Sequence, residues 1–167
     1  FRALIHCTRS DIGKKREKVD ITRESYELRQ KIVDYIAQSE WAKEQFNKVK
    51  SSGTMKETYN MGPECLFEQF IEMLRKQDEW GNEMCLKAAT DVLHCNIHVV
   101  ALQQQKGRRS KKKKKSTEYT VLLKADSPDN DVNATTFTPE NVYDPSQLRN
   151  IYLGYLGKHY VALFPRN

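Results

Sequence analysis

Four histidines and four cysteines are the residues of this chain best suited to proton transfer or nucleophilic attack: His6, His94, His98 and His159, and Cys7, Cys65, Cys85 and Cys95. An imidazole titrates near pH ~6.5 and can act as a general base at neutral pH. His159 has the best setting for this, because it follows Gly157–Lys158 at the head of the apolar run HYVALF. A strand is a rigid mount, and a tight turn beside it gives access to solvent. On position alone, a histidine in a hairpin is nevertheless more often a plain surface residue. His6 adjoins Cys7, but neighbours on a helix point about 100° apart and do not face each other. His94 closes a helical pattern, where a cation is favoured, and His98 alternates with core residues of a strand. All three read as structural. The cysteines show no CxxC spacing, and no histidine stands at metal-ligand spacing from them, so no metal or other cofactor is implied. Cys65 and Cys85 fall within apolar helical patterns, where free thiols are commonly buried, and a reducing compartment is the simplest setting.

The elements that must hold such residues come from a chain of 167 residues, 38% hydrophobic and 30% charged. This suits one domain, residues 1–167, with a single core. No stretch approaches the ~20 apolar residues of a membrane span, and no charged-then-apolar secretory leader opens the chain. Its first residues, FRALIHC, read instead as a buried helix already under way, so a fragment of a longer protein is expected. The net charge is +6, but the stretch KGRRSKKKKK (106–115) carries eight of the 28 basic residues and no acid. The other 20 basic residues face 22 acidic ones, so the body of the domain is slightly acidic. That argues against a nucleic-acid face built into the fold.

Helical spacing runs through the first part of the chain. Phe1, Leu4 and Ile5 form a stripe. The polar stretch 10–20, with Gly13, reads as a loop. A longer helix over about 22–38 has Leu28, Ile32, Tyr35 and Ile36 on its apolar face and Glu24 in its first turn. EWAKEQFNKVK continues as a second helix with Trp41 and Phe46, which SSGT breaks. Gly62–Pro63 is expected to open the next helix, with Pro63 in its first turn and Leu66, Phe67, Phe70, Ile71 and Leu74 buried. Asn82 is a plausible N-cap for NEMCLKAATDVLH, whose Ala88 and Ala89 permit close packing. After Cys95 the character turns to strand. IHVVAL (97–102) and YTVLLKA (119–125) are β-rich and are joined by the basic run. Residues 126–147 read as one long loop rich in Asp, Asn, Pro and Thr. IYLGYL and HYVALF follow, separated by two residues as in a hairpin. Helices first and a small, largely antiparallel twisted sheet afterwards make an α+β fold with a helical lobe packed on the sheet.

Taken in order, these segments resemble the ovarian-tumour (OTU) family of papain-like cysteine proteases. Phe1-Arg2-Ala3-Leu4 matches the end of the family's motif, in which a glycine-rich turn and a cysteine precede Phe-Arg-Ala at a helix start. LRQKIVDYI (28–36) is similar to the family's next helix, and YNMGPE to its Tyr-x-x-x-Met region. WGNEMCLKAATDVLHCNIHVV (80–100) carries the Trp-Gly, the helix with Leu-x-Ala and the Ile-x-Val strand. GKHYVALF matches the closing His-Tyr strand. The resemblance spans nearly the whole chain.

It implies a deubiquitinase: thioester formation at a cysteine with His159 as base and then acid, acting on the C-terminal tail of ubiquitin or a ubiquitin-like protein. Trp80, Gly81, Asn82 and Tyr160 would line the path of that tail. The nucleophile of the family pattern falls two positions before Phe1, so the 167 residues alone are expected to be inactive. At a helix start, free N–H groups would lower its thiol pKa, and the preceding turn would supply an oxyanion hole. Cys7 lies ~12 Å along the helix from that point and is expected to be a buried thiol. Two departures stand out. Val161 occupies the position where many members carry the Asn or Asp that orients the histidine, and Cys85 stands where they often have Glu. Val161 lends weight to a rival reading, an inactive module that holds ubiquitin without cleaving it. No membrane partner is expected, and the protein should be a monomer of the cytoplasm, the nucleus or both. The basic loop, residues 103–117, is expected to be flexible; its lysine run, Lys111–Lys115, reads either as simply solvated or as a nuclear-import signal or nonspecific nucleic-acid contact.

Overall fold

A computed structural model describes residues 1–8, 21–76, 81–101, 134–140, 144–155 and 159–164. The helical part comprises α1 (Arg2–Thr8), α2 (Ile21–Gln38), α3 (Glu40–Ser51), α4 (Met55–Tyr59), α5 (Phe67–Arg75) and α6 (Glu83–Leu93). The sheet comprises β1 (Cys95–Ala101), β2 (Ala134–Phe137), β3 (Arg149–Tyr155) and β4 (Tyr160–Leu163), in the order β2-β1-β3-β4. This is the α+β arrangement expected from the sequence. β1–β2 and β3–β4 pair antiparallel, while the central pair, β1 with β3, is parallel with Ile97 opposite Ile151. A parallel neighbour requires a long connection, and the two strands are separated in the chain by residues 102–148.

The core forms where α2 meets its neighbours. Ile32, Val33 and Ile36 are fully buried along one face of α2, at the i, i+1, i+4 spacing of a helical stripe. Ala88 and Ala89 of α6 are fully buried too, and α2 packs on α6, α5 and α1. A second centre is aromatic. Phe46 of α3 stacks on Tyr59 and meets Phe67 and Phe70 of α5 edge-on or tilted, with centroids 5.4–6.1 Å apart. Under the sheet, Ile97, Ile151 and Leu153 complete the same core.

Three local expectations are corrected. Pro63 does not open a helix: the Cys65 N–H bonds the Gly62 carbonyl at 3.1 Å, so Pro63 is the second residue of a turn, where its fixed φ fits equally well. The helix starts at Phe67 instead, because the Gln69 side chain accepts the Leu66 N–H at 2.9 Å and caps it there. Leu66 is thereby turned outward, 56% exposed, while Phe70, Ile71 and Leu74 are buried as expected. Cys65 consequently lies before that helix. Within the stretch read as one loop, Ala134–Phe137 is a strand, pairing from Val100↔Ala134 to Ile97↔Phe137. The expected strand 119–125 and the basic loop lie outside the described residues. Among the described residues no helix is long and apolar enough to cross a membrane.

Candidate active site

α1 has only seven residues, too few to be stable alone, so its contacts hold it. Ala3, Leu4 and Cys7 are its buried face. At its carboxyl end, the Arg149 guanidinium of β3 donates to the carbonyls of Cys7 and Thr8, and the Cys7 thiol donates to the Tyr152 carbonyl at 3.6 Å. At its other end, the Phe1 ring lies under the Arg29 guanidinium of α2, 4.5 Å from it, a cation–π contact. One edge of the ring abuts Gly81, where a Cβ would come within 3.2 Å of it. Gly81 is therefore a close-approach position: any side chain there would press on Phe1.

These contacts frame a cleft of about 350 Å³. It is lined by Phe1 and Arg2, by Ser25, Tyr26 and Arg29 of α2, and by Gly81, Asn82, His159 and Tyr160. β4 reaches it because Tyr160 pairs with Tyr155 at the end of β3, which leaves His159 exposed at the mouth. Tyr160 is half-buried against Tyr155, with ring centroids 5.1 Å apart, and burial pushes its phenol pKa up. The Asn82 side-chain amide oxygen is committed to α6, accepting the Cys85 N–H at 3.1 Å. That is the N-cap foreseen from the sequence.

Of the residues singled out from the sequence, Gly81, Asn82, His159 and Tyr160 thus come together beside Phe1, and Trp80 lies outside the described residues. His6 is exposed on α1. His94 is the left-handed residue that ends α6, with φ 47°. His98 bonds Thr136 and Asn150, each at 3.0 Å, and stacks on Tyr152 across the sheet. Val161 is half-buried on β4 opposite Gly154, and its isopropyl group has no polar atom to offer an imidazole.

The sequence reading missed Arg29. It stands three, four and seven residues before Ile32, Val33 and Ile36, so it belongs to the apolar stripe of α2. A charged residue on a buried stripe was the available signal. It is 7% exposed, and its Nη1 donates to the carbonyls of Leu74 at 3.0 Å and Lys76 at 2.6 Å.

All four cysteines are free and buried. Cys85 lines the cleft, yet burial pushes its thiol up to about 11, and Cys95 likewise to about 11. Burial also raises Cys7 and Cys65. None has the low-pKa setting of a reactive thiol. Among the described residues no cluster of three or more His, Cys, Asp and Glu could hold a metal ion.

Within this α+β fold the cleft joins the start of α1, the residues leading into α6 and the last strand. A family model described as OTU-like cysteine protease matches residues 1–160, and the chain belongs to that family. The comparison with curated proteins gave no match, nor did the comparison with solved structures.

Proposed function

We propose that this chain is the body of a deubiquitinase, hydrolysing bonds to the C-terminus of ubiquitin or a ubiquitin-like protein through a thioester. The observation that carries the reading is the single cleft shared by Phe1, Arg2, Gly81, Asn82, His159 and Tyr160, which are far apart in sequence. In this reading the nucleophile is the cysteine that the family pattern places two residues before Phe1. A chain that carries it must extend upstream of residue 1, and the 167 residues by themselves do not turn over. His159 takes the thiol proton and returns it to the leaving amine; the acyl-enzyme thioester is then cleaved by water that His159 deprotonates. The modifier's extended tail lies along Gly81 and Tyr160, which line the cleft beside His159.

A ubiquitin with an electrophilic C-terminus tests this. The 167-residue chain should not react. A chain extended upstream through the family's turn and cysteine should be labelled, and His159→Ala should slow that labelling by roughly 10²–10⁴-fold. Labelling of the 167-residue chain at Cys7, lost on His159→Ala, would overturn the assignment. Val161 supports one rival, a module that binds ubiquitin without cleaving it. That rival predicts binding around the cleft, seen by chemical-shift mapping, with no labelling of the extended chain.

A further inference from the structure

We propose that Arg29 is a positioning residue for this hydrolysis: its guanidinium fixes the Phe1 ring, and with it the path of the chain into α1 beside His159. The inference rests on the reading of the cleft as a thiol hydrolase site.

An arginine only 7% exposed is costly unless its guanidinium N–H groups are bonded. Here α5 bonds them: Nη1 donates to the carbonyls of Leu74 and Lys76, where that helix ends. These charge-assisted bonds fix the plane of the group. Its face is then set 4.5 Å from the centre of the Phe1 ring, whose edge rests on Gly81. The end of α5, Arg29, Phe1 and the first turn of α1 form one line of contacts into the cleft. A cap for α5 would need only the first link. That the same side chain also covers Phe1 and lines the cleft is what marks it as more than a cap.

The charge acts as well as the shape. Beside the cleft, Arg29 opposes the upward push of burial on the Cys85 thiol. A thiolate forming beside Phe1 therefore meets the positive charges of Arg29 and of Arg2 on α1. The other titratable groups lining the cleft are Tyr26 on α2, Cys85 on α6, and His159 and Tyr160 at β4, and Glu83 on α6 acts on Tyr160.

Arg29→Lys and Arg29→Met in the upstream-extended chain separate the two effects. Alkylation of the added cysteine by iodoacetamide across pH gives its thiolate midpoint and needs no ubiquitin. Labelling by the ubiquitin electrophile gives the productive geometry. Arg29→Lys keeps the charge but not the flat fork: the midpoint should stay in place while ubiquitin labelling slows roughly tenfold or more. Arg29→Met should also raise the midpoint by about one unit. A residue that served stability alone would lower the melting temperature and move neither readout. An unchanged midpoint and labelling rate in Arg29→Met overturn the proposal, and if that variant does not fold, a wild-type labelling rate in Arg29→Lys overturns it. An extended wild-type chain that ubiquitin electrophile does not label overturns the deubiquitinase reading instead, while the alkylation midpoint still decides the charge effect of Arg29.

Discussion

The four cysteines of the folded chain should be nearly inert to a thiol reagent at neutral pH, and Cys85 is the sharpest case because it lines the cleft. Its thiol is 3% exposed and pushed up by burial from an ordinary value of 9.0 to about 11. At pH 7.5 the thiolate fraction is then about 3 × 10⁻⁴, some hundredfold below that of a thiol left at its ordinary value. Since the thiolate is the attacking species, native-state alkylation should slow by about the same factor, and steric cover by α6 should slow it further. The rate should rise about tenfold per pH unit, because each unit multiplies the thiolate fraction by ten below the midpoint. The assay is pulsed iodoacetamide alkylation of the native 167-residue chain, mapped by mass spectrometry and normalised to the chain unfolded in urea. Cys95, also at about 11, should match Cys85. Rapid labelling of Cys85 at pH 7.5, dependent on His159, would refute the reasoning: it would make Cys85 a nucleophile and remove the need for a cysteine before Phe1.

The same shifts govern stability. A thiol raised on folding contributes stability that is complete below its unfolded value and lost as pH rises toward the folded one, so the melting temperature should fall between about pH 9 and 11, and Cys85→Ala should blunt that fall. Asn82→Ala removes the acceptor for the Cys85 N–H and should cost about 1 kcal/mol, read as a melting temperature lower by about 2–4 °C. Gly81→Val adds a branched side chain where even a Cβ stands 3.2 Å from the Phe1 ring. It should cost about 1–3 kcal/mol by overpacking, and Phe1→Leu in the same chain should recover part of that. Deleting 106–115, a stretch with no apolar residue, should leave the melting temperature within about 2 °C and should reduce nuclear enrichment of a tagged chain.

What could be read from the sequence was local. The α2 stripe, the Asn82 cap, the two small residues of α6 and the pairing of the last two runs each depend on residues within about one helical turn or one hairpin of each other. What could not be read was decided at long range. Ala134–Phe137 is a strand because β1 offers it an open edge, although its own four residues sit among turn formers. Pro63 fits the start of a helix and the second place of a turn equally well, and the Gln69 side chain decides between them. The parallel pairing of β1 with β3 sets Ile97 opposite Ile151, a register between segments far apart in the chain.

The cleft is the strongest instance, because no segment of it is recognisable alone. His159 in a hairpin is an ordinary surface histidine until β3 carries it to the start of α1. Phe1 is an ordinary core aromatic until Arg29 and Gly81 hold it at that opening. Even the valine on β4 acquires meaning only there: at half depth opposite Gly154, Val161 can pack but cannot accept the imidazole N–H. On the proposed reading, the group that orients His159 is a residue other than Val161. That places a definite demand on a polar replacement. Val161→Asn should increase labelling of the upstream-extended chain if orientation of His159 is what limits it, and should leave labelling unchanged if another residue already supplies that bond.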